Sequence, residues 1–170
     1  AQATSRLNAQ ARKLARTPDE FSDCAAQVKG IMDSGRAEQI PDEEVHGPSG
    51  RTWYLMHHGV RHKRKGKLRV IFNAAAIYAG RSLNGAIRSC PDLLEKLLGI
   101  MIRFREQEVA VSADIEAFFH RVKMTAEDRD LNRFVWFDSS GRTAHYRMLS
   151  HLFGGTSSQA CAINARDASI

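Results

Sequence analysis

The segment from Val45 to Pro91 contains no aspartate and no glutamate. All 19 acids of the 170-residue chain lie outside it, while nine basic residues lie within: Arg51, Arg61, Lys63, Arg64, Lys65, Lys67, Arg69, Arg81 and Arg88. The net charge of +6 is therefore unevenly held, with the remainder of the chain at −3. A cationic stretch without counter-charges in a near-neutral body is what a polyanion-binding surface requires. A solvated, charged hairpin is the plainer reading of the same run.

Cysteine is equally scarce. Cys24, Cys90 and Cys161 are odd in number and far apart, which argues against a disulfide framework or a zinc knuckle and suits a reducing compartment. No apolar run reaches the roughly 18 residues of a membrane span, and the first residues, AQATSRLNAQARK, form no apolar signal core. The expectation is a soluble intracellular protein of cytoplasm or nucleus with no membrane partner. G-x-S-x-G is missing, so Ser157 and Ser158 have no assignable nucleophile machinery. C-x-x-C is missing too. His57 and His58, with His62 nearby, are the remaining metal candidates. Neighbours in a strand point to opposite faces, so structural or surface roles suit this pair better than a metal-dependent hydrolase.

What is present reads as one globular domain of α+β type, 43% hydrophobic. Residues 4–16 have helical character. Thr17 and Glu20 make a capping box with Pro18 at the first helical position, and Phe21, Cys24, Ala25, Val28, Ile31 and Met32 follow at helical spacing until Gly35. Residues 36–50 read as a loop. WYLMHHGV (53–60) and KLRVIFNA (67–74) read as strands joined by the basic turn RHKRKG, with Arg69 pointing away from the core. Gly80 to Gly85 read as a loop, and PDLLEKLLGIMIRFRE (91–106) as a helix. The β-branched run VAVSADI (109–115) predicts a central strand, and Thr125 with Asp128 a short capped turn. RFVWFD and HYRMLS predict a hairpin across Ser-Ser-Gly-Arg. Thr156 to Asp167 predict a last helix.

Asp114 sits at the end of the predicted strand, with Phe118 and Phe119 directly after it. An unpaired carboxylate in a buried strand costs several kcal/mol. Such an acid therefore either reaches water or a partner, or holds something charged. Phosphoryl transfer at a nucleic-acid end needs carboxylates on two divalent metals, cations on the triphosphate, and a surface against sugar and base. Asp114 can supply one carboxylate, and Lys65, Lys67 and Arg69 the cations.

Seven blocks in order, WYLMHHGV, KLRVIFNAAA, SLNGAI, PDLLEKLLGIMIRFR, VSADIEAFF, EDRDLNRFVW and HLFGGTSSQACAIN, resemble the BEL/Pao class of LTR-retrotransposon reverse transcriptases. The resemblance covers roughly residues 17–165. It implies a partial right-hand polymerase: an N-terminal helical segment and loop in residues 1–50, and fingers with a partial palm in residues 51–170. Asp114 then matches the first catalytic aspartate and the carbonyl of Ile115 a further ligand of Mg²⁺ or Mn²⁺. Phe119 matches an aromatic steric gate beneath the sugar, with Phe118 left to the core. Lys67 and Arg69 match triphosphate cations, and Phe153 and Gly154 the turn near the nucleotide's sugar and template base. The substrates implied are an RNA or DNA template–primer and deoxynucleoside triphosphates. Peptidase, RNase H and integrase segments are implied elsewhere in a polyprotein.

The sequence departs from the family pattern at Asn73 for Asp, Ala75 for Ser, Met56 for Pro and Gln159 for Pro. The Y-x-D-D box with the other two carboxylates would follow residue 170. The chain is thus expected to be a fragment or decayed copy that does not polymerise. A non-catalytic nucleic-acid-binding remnant, using Arg61, Lys63 and Arg64 within hairpin 61–69, is the alternative.

Overall fold

The computed structural model describes residues 2–14, 16–48, 50–62, 66–94 and 96–169. Among these, six α-helices accompany two small antiparallel sheets, an α+β arrangement.

Helix α1 spans Gln2–Leu14 and α2 spans Pro18–Asp33. At the start of α2 the Thr17 hydroxyl donates to the Glu20 carboxylate at 3.4 Å. Its end is a Schellman motif: Gly35 N–H bonds the Met32 carbonyl and Arg36 N–H the Ile31 carbonyl. Gly35 has φ +66°, which glycine adopts without penalty. Cys24 and Val28 are the buried rungs of this helix.

Residues 36–50 are not simply a loop. β1 (Ala37–Gln39) is a strand, and Asp42–Glu44 a short 3₁₀ turn. β1 pairs with β5 (Thr143–Met148), which pairs in turn with β4 (Arg133–Phe137). Three residues carry too little pattern to announce a strand, and this one is defined by its distant partner. Arg147 on β5 reaches Glu38 at 2.6 Å and Glu44 at 2.8 Å. Arg133, fully buried, binds Asp130 at 2.8 Å and the carbonyls of Val45 and Glu44 at 2.8 and 3.0 Å. Gly47 completes the fit. Its φ is +61°, and a Cβ there would lie 2.8 Å from the Arg133 guanidinium.

The predicted hairpin of β4 and β5 is present, its turn held by Asp138, whose carboxylate accepts from Ser140 and Arg142 N–H at 2.8 and 2.9 Å. The second sheet pairs β2 (Met56–Arg61) with β3 (Leu68–Asn73). The lead-in to β2 runs beside β4 through Leu55 N–H to Arg133 carbonyl and Arg133 N–H to Trp53 carbonyl. One core joins both sheets to α1 and α2, centred on Phe134, Trp136, Met148, Phe72 and Leu7. Gly59 lets α2 approach, since a Cβ there would meet Cys24 Sγ at 2.8 Å.

Three further expectations need correction. The loop Gly80–Gly85 contains the start of α3 (Leu83–Ala86), whose first turn is capped by the Ser82 hydroxyl accepting from Gly85 N–H at 3.1 Å. The helix expected at 91–106 is only α4, Leu97–Arg103. Asp92 diverts the chain by accepting from Leu94 N–H at 3.0 Å, a local alternative to helix. No residue of α4 is buried. Residues 109–115 are not a strand: Val109 and Val111 are 79% and 85% exposed, and no strand among the described residues pairs with them. β-Branched residues favour a pleated, half-buried surface, and none is offered here. α5 (Phe118–Arg121) and α6 (Ser158–Asp167) complete the element order. The capped turn at 125–128 forms as expected, Thr125 hydroxyl to Asp128 at 2.9 Å. No helix among the described residues is long and apolar enough to cross a membrane.

Candidate functional site

The strand alternation of β3 buries Leu68 and Phe72 and exposes Arg69 and Asn73. Arg69 faces the same side as its partner Val60, and Lys67 stands exposed beside it. Neither cation forms an ion pair among the described residues. Arg61 behaves differently. It lies opposite Leu68, on the inward face, and bonds Asp23 of α2 at 2.6 Å and the Gly66 carbonyl at 2.7 Å. Its positive charge anchors the hairpin to the helix, and Arg61 is thereby separated from Lys67 and Arg69. Lys63, Arg64 and Lys65, all assigned to phosphate or nucleic-acid binding, lie outside the described residues.

At the far end of β3 the chain gathers four blocks that are distant in sequence. Asn73 Oδ1 accepts from Ala75 N–H at 3.0 Å, turning the strand out. Asn84 of α3 then binds back through its own N–H to the Ala74 carbonyl at 3.0 Å. The Asn84 side chain donates to the Gly154 carbonyl at 2.9 Å and accepts from Thr156 N–H at 3.0 Å. Gly154 has φ +92°, and a Cβ there would stand 4.0 Å from the Phe72 carbonyl. Phe153, 71% exposed, meets the ring of Phe119 edge to face, centroids 5.6 Å apart. Phe119 and Phe153 are thus brought together, as neighbours over a glycine turn that a side-chain amide holds.

The approach to Phe119 is strained. Ala117, which precedes α5, has φ +53° and ψ +41°, the left-handed region that costs a non-glycine residue roughly 1 kcal/mol or more. That turn swings the chain from the extended run at 109–115 into α5. Phe118 was expected in the core, but it is half-buried like Phe119 and touches it at 5.7 Å. Both rings sit on a four-residue helix with no buried position, so neither reaches the interior. His120 follows, its Nδ1 3.4 Å from the Ser150 hydroxyl. Burial, aided by Arg36, holds the His120 imidazole below its usual range, and burial does the same for His151.

Asp114 and Ile115 stand apart from this cluster of contacts. Asp114 is exposed and Ile115 is 45% exposed, on the uncovered run before Ala117. Together they offer one carboxylate and one carbonyl. No group of three or more His, Cys, Asp or Glu among the described residues can hold a metal ion. That donor set does not fit a two-metal centre, and no step is assigned to one. The two histidines divide as strand geometry requires: His58 is exposed, while His57 is buried among Phe72, Phe134 and Trp136.

Two features escaped the sequence reading. Asn84 carried no signal beyond its place in SLNGAI, because its partners are seventy residues and more away. The Arg61–Asp23 pair depends on where α2 lies. No family model matches the chain, and no curated protein matches it.

Proposed function

We propose that this chain is the fingers and first part of the palm of an RNA-directed DNA polymerase of the BEL/Pao retrotransposon kind. Its own contribution is to hold template–primer and nucleotide phosphates. The observation that carries the reading is convergence: KLRVIFNAAA, SLNGAI, VSADIEAFF and HLFGGTSS meet around Gly154. Polymerase chemistry would require such blocks to line one nucleotide, with Phe119 and Phe153 as the aromatic surface and Lys67 and Arg69 as phosphate cations.

A second reading, nucleic-acid binding without catalysis, is favoured by the donor count. Asp114 alone cannot organise two metals, whereas Lys67 and Arg69 are exposed and unpaired with acids among the described residues. The two readings share a binding test and part company in a catalytic one. Anisotropy of a labelled RNA–DNA template–primer should give a slope of log K against log salt of roughly −3 to −4, for about four phosphate contacts. The double variant Lys67→Glu, Arg69→Glu should flatten it by about two. Binding that ignores salt, or a slope that the variant leaves unchanged, would remove the basic face from either account. Primer extension with Mg²⁺ or Mn²⁺ is expected to give no template-dependent incorporation. Incorporation that disappears in Asp114→Ala would decide for a working polymerase.

A further inference from the structure

A cavity of about 690 Å³ opens between α1 and the segment that enters β2, away from the Gly154 turn. Its size is that of a small-molecule pocket, for which roughly 300–1,000 Å³ is usual. The walls are rings: Trp53, Tyr54 and Tyr78, with the imidazoles of His57 and His145. No aspartate or glutamate among the described residues lines it.

Among the described residues that line this space, Arg6 is the permanent cation. Arg6 of α1 is half-buried, and its guanidinium donates to the thioether sulfur of Met56. Sulfur is a weak acceptor, and Arg6 has no carboxylate partner among the described residues. A guanidinium partly shielded from water favours an anion, and its planar fork matches a carboxylate or phosphate with two parallel hydrogen bonds. The neighbouring polar groups are already engaged. Tyr54 hydroxyl lies 2.7 Å from His145 Nδ1 and 3.5 Å from Arg133, so Tyr54 is fixed as a wall and is not free to serve Arg6. His57, 7% exposed, contributes a ring whose Nε2 has no hydrogen-bond partner among the described residues.

We propose that this cavity binds a small planar anion, an aromatic ring bearing one carboxylate or phosphate. The ring packs among Trp53, Tyr54 and Tyr78, and the anionic group takes Arg6 from Met56. Exchange of a thioether for a charged oxygen gains a charge-assisted hydrogen bond at little cost. Nothing in this site uses Asp114, Phe119, Lys67 or Arg69, so it stands apart from the polymerase reading.

The test is titration of the whole chain, followed by Trp fluorescence and calorimetry, with 2-naphthoate and with adenosine monophosphate. Their uncharged counterparts, 2-naphthamide and adenosine, are the controls. Saturable binding of naphthoate alone assigns a free aromatic carboxylate; binding of the nucleotide alone assigns a base–phosphate; binding of both assigns the shared chemistry. In each case the neutral counterpart should bind at least about tenfold more weakly, and Arg6→Gln should bring the anion down to that level. Ala9→Trp, on the exposed side of α1 at the cavity wall, should block binding while leaving the circular-dichroism spectrum unchanged, and it decides the matter should Arg6→Gln not fold. Failure of both anions to saturate would overturn the proposal. So would equal affinity for charged and neutral probes, or indifference to both substitutions.

Discussion

His57 gives the sharpest thermodynamic test of the fold. It is 7% exposed, with its ring 5.4 Å from Trp136, 5.6 Å from Phe72 and 5.9 Å from Phe134. Burial in that apolar setting, with a smaller push from His58, pulls its pKa down from 6.5 to about 4, against a hydrogen bond to the Leu55 backbone that favours the charged form. A folded-state pKa below the unfolded one means that the unfolded chain binds the extra proton between these values. Stability from His57 is therefore fully present above about pH 6.5 and is lost as pH falls towards 4. The full difference corresponds to roughly 3 kcal/mol, and about 2 kcal/mol of it should vanish between pH 7 and pH 5. Urea unfolding of wild type and His57→Phe across that range isolates the term, because the other histidines remain in both proteins. The variant's stability should depend less on pH by about 2 kcal/mol over the two units. Identical pH profiles for the two proteins, or a directly measured His57 pKa near 6.5, would refute a buried neutral imidazole.

Four further outcomes are expected. Asn84→Ala removes both side-chain bonds to the glycine turn and should cost about 1–2 kcal/mol in urea unfolding, with loss of template–primer affinity; no change in either would detach Asn84 from the site. Ala117→Gly should match or exceed wild-type stability, whereas Ala117→Val should lose roughly 1–2 kcal/mol, as calorimetric unfolding would reveal. Arg133→Ala leaves the Asp130 carboxylate only its longer contact to Arg147 at 3.5 Å and strands two carbonyls, and should cost about 3–5 kcal/mol; a loss under about 1 kcal/mol would mean that the 42–47 segment is held by other contacts. In a chimera supplying the two further carboxylates, Phe119→Val should shift relative kcat/KM towards ribonucleotides by ~10²–10³-fold, while Phe118→Val should leave that ratio alone.

The elements legible in the sequence were those whose pattern closes on itself. Helix α2 has its first-turn proline, its apolar rungs and its terminal glycine within one window. β2 and β3 state their register through alternation, which also sends His57 inward and His58 outward. The β4–β5 hairpin has its turn residues between its strands. β1 had none of these, being a three-residue strand that exists because β5 lies beside it and Arg147 meets Glu38. The site divided in the same way. The exposure of Arg69 followed from local alternation, but the inward turn of Arg61 required Asp23 on another element, and the meeting of Phe119 with Phe153 required Asn84 to fix the turn between them.

Residues 91–115 carry the opposite lesson, since their patterns are strong and unfulfilled. An apolar helical face or a β-branched run states what a segment does against a partner, and without one it has little reason to form. α4 keeps only seven residues, well short of the roughly 12–15 at which an isolated helix becomes even marginal, and Leu97 and Leu98 remain 70% and 72% exposed. Val109 and Val111 are more exposed still. Asp114, at the end of that run, escapes the several kcal/mol that a buried, unpaired carboxylate would cost, because water reaches it. The same freedom bears on chemistry. A ligand held within about 0.5 Å of a productive position needs neighbours that lock its rotamer and its backbone, and Asp114 has neither strand partner nor packed cover among the described residues. In the proposed reading, covering 109–115 is therefore needed, in addition to the two further carboxylates, before the fold described could work as a polymerase.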